Sequence, residues 1–465
     1  MDANTQKREA RTTMAIILSL AWPTIVEQVM QTAVQYIDTA MVGVLGTHAT
    51  AAVGSTGTVG WMLLITISAV GVGFLSFIAT ACGANDREAA RKAVSQAVFM
   101  VVVLGTIFTI LPVALAQKVP VWMQVDESIQ ELAATYFLII YLPMLPRSAS
   151  AIFGTVLRAA GDTKTPMKVG VLVNIINIIL NFFLIYDTRT VKLGPISFVS
   201  WGAGWGVVGA AVSSAVAMTI GGVLITIALW RHPMVSPRGM KLRPDPEILR
   251  PCMKIALPNM LQRFGTSLGF VAFAAMINSL GEAATAAHTI ANTVESAFYI
   301  PGYGMQTAAA TLAGNAYGAK DNRYMKSLAR MFIPLEIVLM IFSGGALFLS
   351  APTLVGLFSK SPEVIALGSV VLRMVAVSEP FYGFSIIIEG MMMGVGKTKA
   401  PFVYNVIGMW GIRIVGTFIC TQMLSFGLVS AWACMIAHNL LLFVLFLVDY
   451  LRKSWNPLEH SLKIS

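Results

Sequence analysis

The sequence predicts an all-α integral membrane protein with twelve transmembrane helices in two homologous six-helix bundles. Composition supplies the first reason: 56% of the 465 residues are hydrophobic and 12% charged, with a mean hydropathy of +0.75. That leaves too little polar surface for an ordinary soluble protein. The second reason is an internal repeat at an offset of 235 residues. Pro23 returns as Pro258, Met41 as Met276, Leu45-Gly46 as Leu280-Gly281, and Ala49-Thr50-Ala51-Ala52 as Ala284-Thr285-Ala286-Ala287. Gly83-Ala84 and Asp86 return as Gly318-Ala319 and Asp321, and Gly161, Thr163, Lys164 and Pro166 as Gly396, Thr398, Lys399 and Pro401. Two homologous halves follow.

A helix needs roughly 20 apolar residues to cross the hydrocarbon and must satisfy its own backbone hydrogen bonds there. Twelve stretches qualify, at about 14–45, 51–80, 94–116, 132–156, 166–187, 204–230, 251–279, 286–315, 329–350, 364–393, 402–424 and 427–449. Several exceed a straight crossing, which tilt or bends at Pro23, Pro258, Pro301 and Pro380 would absorb. Residues 231–250, RHPMVSPRGMKLRPDPEILR, are the one long polar, proline-bearing stretch and separate the halves. The expected organisation is an N-lobe over 1–230, a cytoplasmic linker over 231–250, a C-lobe over 251–450 and a cytoplasmic tail over 451–465. In a membrane, two such halves belong above all to secondary transporters, whose paired bundles rock about a site between them.

The net charge of +10 is placed by topology, not by nucleic acid. With a cytoplasmic N-terminus, the inner segments hold 24 of the 32 lysines and arginines, among them Arg87, Arg91, Lys92, Arg238, Lys241, Arg243 and Lys463. The outer loops hold Lys118, Arg189, Lys192 and Lys360, and Arg147, Arg263, Arg373 and Arg413 fall inside spans. This positive-inside bias puts both termini in the cytoplasm, with residues 45–50 and 188–200 outside, in a multi-pass plasma (inner) membrane protein. No small-residue cleavage site precedes a soluble domain, so span 1 is expected to be retained.

Soluble chemistry finds no foothold. Cys82, Cys252, Cys420 and Cys434 have no CxxC spacing, which argues against a disulfide framework or a zinc site. Gly396-Lys397-Thr398 has the ending of a phosphate-binding loop, but the first glycine of that motif would fall on Met391 and no strand precedes it. No nucleophile, base and acid share a useful spacing. The expectation is a monomer without enzymatic activity, cofactor or nucleic-acid partner, in contact with the lipid bilayer and a small amphipathic substrate.

Ionisable groups inside spans are expensive and face a cavity or a partner. The in-span acids are Glu27, Asp38, Glu295, Glu336, Glu379 and Glu389. Asp38 is the sharpest: no basic residue shares its helix from Thr12 to Leu45, so it must be protonated, ion-bound or paired from another helix. Its repeat position is Phe273, so the shared fold does not require it. In span 5, Asn174, Asn177 and Asn181 stand three and four apart on one helical face, while their repeat positions are Met409, Ile412 and Gly416. Asparagines also glue helices together. Three on one stripe, in the half that carries the lone aspartate, point instead to a hydrated polar pocket, to which Ser213 and Ser214 of span 6 could add hydroxyls.

Several segments resemble the multidrug and toxic compound extrusion (MATE) family. They are Pro23 with Ile37-Asp38-Thr39-Ala40-Met41-Val42-Gly43, the run from Leu157 to Pro166, Asn174-Ile175-Ile176-Asn177, and Gly206-Val207-Val208-Gly209-Ala210-Ala211. The resemblance covers essentially the whole chain. It implies an antiporter that extrudes bulky, often cationic, amphipathic compounds in exchange for inward Na+ or H+. It also implies that Asp38 is the cation-coupling residue, with Asn177, Asn181 and Ser214 at family positions beside it. Where the NorM-like branch carries coupling acids, this chain has Gln262-Arg263 in span 7 and Ser378 and Tyr382 in span 10. Coupling is therefore placed in the N-lobe, as in the DinF-like branch.

One acid among neutral amides favours H+ as the coupling ion. Na+ remains possible at Asp38, because Asp38, Asn177, Asn181 and Ser214 could supply several oxygens. Pro23 leaves span 1 one hydrogen bond short and is the expected conformational switch. Glu27, Glu295, Glu379, Glu389 and Arg413 are secondary candidates, with Glu27 more simply paired to Arg147 or Arg263. A lipid-linked precursor flippase of the same superfamily and a passive channel are the alternatives. A flippase has about fourteen spans and a strongly cationic cavity, and a channel gives no reason for lobes so unequal.

Overall fold

The computed structural model describes residues 3–123, 125–193 and 196–461. Lys463, used above for orientation, and the last residues of the tail lie outside the described residues. The first half runs α1 (Ala3–Gly43), α2 (Thr47–Gly83), α3 (Arg87–Leu115), the short α4 (Lys118–Trp122), α5 (Glu127–Tyr141), α6 (Met144–Ala159) and α7 (Lys164–Leu184). Strands β1 (Asp187–Leu193) and β2 (Ile196–Ala203) follow, and then α8 (Gly206–Arg231). The second half runs α9 (Pro246–Asn278), α10 (Glu282–Gly318), α11 (Asn322–Phe358), α12 (Pro362–Gly394), α13 (Lys399–Val406), α14 (Val415–Phe418), α15 (Leu428–Leu451) and α16 (Leu458–Ser461). π-Helical turns at Ile407–Ile414 and Ile419–Met423 flank α14, so α13 through Met423 form one span.

Among the described residues, ten helical segments are long and apolar enough to cross a membrane, and α5 with α6 make an eleventh bent by 49°. The twelfth is α10, 37 residues long but diluted by Glu282, His288 and Glu295. Span 4 departs from the single helix expected over 132–156. Pro143 cannot donate a backbone hydrogen bond, and the break falls between Tyr141 and Met144. Pro23, Pro258, Pro301 and Pro380 lie inside unbroken helices. The outer connection between α7 and α8 is an antiparallel β-hairpin, with Thr190 opposite Val199 and Leu193 opposite Ile196. β-Branched and aromatic residues at Val191, Phe198, Val199 and Trp201 suit a strand.

The repeat is carried by its turns. Gly46 and Gly281 have φ of 102° and 103°, Asn85 and Lys320 of 56° and 53°, and Gly161 and Gly396 of 86° and 79°. Each pair is related by the 235-residue offset, so three left-handed turns recur at equivalent positions. Their hydrogen bonds recur too: Asp86 N donates to Ala81 O and Asp321 N to Ala316 O, while Asp162 N donates to Leu157 O and Lys397 N to Met392 O.

Packing divides the chain into two compact units, and the partition does not follow the repeat. Unit 1 comprises Met1–Gln28, Leu75–Asp86 and Pro251–Ser465; unit 2 comprises Val29–Phe74 and Arg87–Arg250. Helices α1 and α2 each contribute to both. Within unit 1, α2 and α10 meet reciprocally. A Cβ on Gly83 would stand 2.0 Å from Asn315 O, and one on Gly318 would stand 1.8 Å from Thr80 O. Thr80 and Asn315 are themselves related by the offset, so one close contact is made twice. The core of unit 1 includes Ile17, Leu20 and Ala21 packed with Met305, Ala309, Phe332, Ile388 and Phe446. In unit 2, Val42, Ala49, Ile185, Val207 and Ala210 form a smaller core beside the polar residues described next.

Candidate functional site

Three helices of unit 2 bring the four expected residues together. Asp38 comes from α1, Asn177 and Asn181 from one face of α7, and Ser214 from α8. Asn181 Nδ2 donates to Asp38 Oδ1 at 2.6 Å and to Asn177 Oδ1 at 3.2 Å, and Asn177 Nδ2 donates to Ser214 Oγ at 3.1 Å. Asn181 is 1% exposed and Asn177 5%; Asp38 and Ser214 are half-buried. The approach of α7 to α8 depends on Gly209, where a Cβ would stand 2.4 Å from Leu184 O. Nearby, the Tyr186 hydroxyl donates to Met41 O at 3.0 Å and ties the end of α1 to the start of the hairpin.

The Asn177 amide satisfies its neighbours best when turned over, with Nδ2 toward Asp38: it then donates to Asp38 Oδ1 at 2.7 Å, and Asn177 Oδ1 accepts from the Ser214 hydroxyl at 3.1 Å. Asn181 Oδ1 is buried with no hydrogen-bond partner. With Asp38 and Ser214 it brings oxygens from all three helices into one network.

Asn174, one turn away on α7, is not hydrogen-bonded into this chain; its Nδ2 is buried without a partner. Among the described residues no lysine or arginine nitrogen lies within 4.0 Å of the Asp38 carboxylate. A structural ion pair is therefore not what holds Asp38. Pro23 is buried in α1. The residue after it, Thr24, donates its hydroxyl to Gly304 O on α10 at 2.9 Å, and the division of α1 between the two units falls at Gln28. Glu27 is half-buried and belongs to unit 1, not to the Asp38 network.

The remaining secondary candidates form two groups in unit 1. Glu389 accepts from Gln262 Nε2 at 2.6 Å and from Asn405 Nδ2 at 3.3 Å, while Arg263 donates to Asn259 Oδ1 at 3.1 Å. Glu295, Glu379 and Arg413 are buried elsewhere in the unit. Arg413 stacks over Phe270 and Phe273 at 5.2 and 5.3 Å. Beside them the hydroxyls of Tyr303 and Tyr382 are 3.1 Å apart. Glu336 belongs to this group but was not singled out by sequence. It is 0% exposed, and neither carboxyl oxygen has a partner. The one sequence signal for it was isolation, since α11 has no basic residue between Arg330 and the end of the helix at Phe358. His438, with both ring nitrogens buried and unpartnered, gave no signal at all.

Comparison with known proteins agrees with this architecture. Residues 23–183 and 258–419 match the MatE family, one match in each half of the repeat. A probable multidrug resistance protein NorM of Thermotoga maritima is 27% identical over 439 residues, covering 94% of this chain and 92% of that protein. Among solved structures, a MATE crystal structure in a bent conformation matches with a TM-score of 0.87 at 22% identity, covering 97% of both chains. One in a straight conformation matches with a TM-score of 0.86 at 23% identity, covering 96% of both. At these identities the structural likeness speaks for the fold alone.

Proposed function

Because the chain belongs to the MatE family, and is accordingly a multi-pass membrane transporter and not an enzyme, we propose that it is a secondary antiporter. It exports bulky, amphipathic, cationic drugs or toxic metabolites in exchange for an inward cation. The observation that carries this reading is the Asp38–Asn181–Asn177–Ser214 chain. It is one titratable carboxyl without a basic partner, held by amides, and present in only one of two homologous halves. Coupling then belongs to the N-terminal half, in the manner of the DinF-like branch. The relative named as a multidrug resistance protein supports the substrate class.

The coupling ion on this reading is H+, because Asp38 is a single carboxyl among neutral amides with no basic partner. Na+ at the same oxygens is the competing assignment. A cation can drive transport only if one arrangement of the protein binds it more tightly than the other. Pro23 supplies the switch: the helix lacks one backbone bond there, and Thr24 anchors the adjacent turn to α10. Related structures described as bent and straight support two conformations for this fold. Both termini face the cytoplasm from the plasma membrane, with 231–250 as the linker between lobes 1–230 and 251–450. The test is reconstitution: substrate added to proteoliposomes should release internal H+ in step with substrate movement, without requiring Na+. Substrate flux with no ion movement would contradict antiport.

A further inference from the structure

The last helical hairpin carries two thiols that the transport reading does not use. Cys420 lies in the π-helical turn Ile419–Met423 and Cys434 in α15, and their Sγ atoms are 4.0 Å apart. The helices come this close because Gly416, one turn before Cys420, has no side chain. A Cβ there would stand 3.1 Å from Cys434 Sγ and 3.5 Å from Cys434 Cβ. Two thiols at this separation are in van der Waals contact, about 2 Å short of a disulfide bond length, a gap within reach of side-chain rotation. Both are partly exposed, as is Cys82, while Cys252 is buried. No other two of the four cysteines have sulfurs in such contact. Cys420 stands four residues before Leu424, which opens the turn into α15. The orientation proposed above puts that turn outside, where thiols meet oxidants.

We propose that Cys420 and Cys434 are a redox-responsive pair that closes to an intramolecular disulfide with a low-molecular-weight disulfide as oxidant, stapling the last two spans at their turn. One cysteine thiolate attacks a sulfur of the oxidant R–S–S–R, forming a mixed disulfide and expelling R–S⁻. The second thiolate attacks the cysteine sulfur of that mixed disulfide, forms the Cys420–Cys434 bond and expels the second R–S⁻. The two thiol protons end on the two R–SH products, so the protein loses two electrons and the oxidant gains them.

The experiment treats the purified full-length chain with oxidised glutathione and maps its peptides by mass spectrometry before and after dithiothreitol. The expected result is one cross-linked peptide joining Cys420 to Cys434, no cross-link through Cys82 or Cys252, and complete reversal by dithiothreitol. Cys420→Ser should leave Cys434 carrying a glutathione adduct with no cross-link, although the wild-type map decides the matter even if that variant folds poorly. Four free thiols after oxidation, separate adducts on Cys420 and Cys434, or a cross-link through Cys82 or Cys252 would overturn the proposal. A parallel arm on intact cells with a membrane-impermeant oxidant isolates the orientation. Closure in the purified protein but not in cells overturns the outward placement of the turn and leaves the pair standing.

Discussion

Asn181 Nδ2 donates to Asp38 Oδ1 at 2.6 Å, a bond across two helices that local sequence periodicity alone does not pair. Asn181 is almost fully buried, whereas Asp38 is half-buried. Removing the donor therefore acts on the charged form of Asp38 more than on the neutral form. Asn181→Ala should weaken retention of the ionised state by about 1.5–3 kcal/mol, roughly tenfold or more in the ion dependence of efflux, with the protein still inserted. The pH or Na+ dependence of substrate transport reads this directly, and an unchanged profile would remove Asn181 from the mechanism.

Ser214 lies at the far end of the chain and exchanges only a neutral hydrogen bond with Asn177. Ser214→Ala should shift ion dependence by about 0.5–1.5 kcal/mol, less than Asn181→Ala. The order Asp38, Asn181, Ser214 in decreasing severity is the signature of a relay that fades with distance from the charge. Ser214→Ala as damaging as Asn181→Ala would point instead to a hydroxyl that binds the ion itself.

The reciprocal contact between α2 and α10 gives a stability test independent of transport. Gly318→Ala places a Cβ against Thr80 O, and Gly83→Ala places one against Asn315 O. Backbone carbonyls cannot swing aside, so each should destabilise by about 1–3 kcal/mol. Gly43→Ala, with nothing within 4 Å of its added Cβ, is the control and should be neutral or slightly stabilising. Thermal unfolding in detergent separates the three. Equal midpoints for Gly318→Ala and Gly43→Ala would mean the contact is looser than described.

Glu389 and Glu295 should answer differently from Asp38. Gln at 389 can still accept from Gln262 Nε2, so the local geometry survives loss of the charge. Glu→Gln at either position is expected to alter substrate preference or expression more than ion dependence. Ion-uncoupled transport with substrate binding intact in either variant would establish a cation site in the second half.

Orientation is checked by labelling on a cysteine-free background. Thr190→Cys, exposed on β1, should react with an impermeant thiol reagent in intact cells, and Lys241→Cys, exposed in the linker, should react only after permeabilisation. The linker backbone is held to α3 by Arg91 Nε on Ser236 O at 2.9 Å and Gln96 Nε2 on Arg243 O at 2.8 Å. Reaction of Lys241→Cys in intact cells would reverse the topology.

The parts legible in the sequence were those written in local chemistry. The repeat could be read because Gly46, Gly161, Gly281 and Gly396 occupy left-handed turns that few other residues accept. The Asp38 site could be read because a lone acid and an asparagine stripe are conspicuous among apolar spans. The bend between α5 and α6, the π-helical turns of span 11 and the gathering of Glu336 with Glu379 could not. Each depends on which helix packs against which, as where His438 lies against Gly408 with no room for a side chain there. Periodicity along one helix carries no such information.

Asp38→Asn is the most direct measurement of the central claim, because it keeps shape and hydrogen-bonding capacity and removes only the titrating charge. The purified variant, reconstituted in proteoliposomes with an imposed ion gradient, should insert and bind substrate. It should show no ion-driven uphill efflux and no pH or Na+ dependence of substrate binding. Uphill efflux at the wild-type rate, with the same ion dependence, would contradict coupling at Asp38.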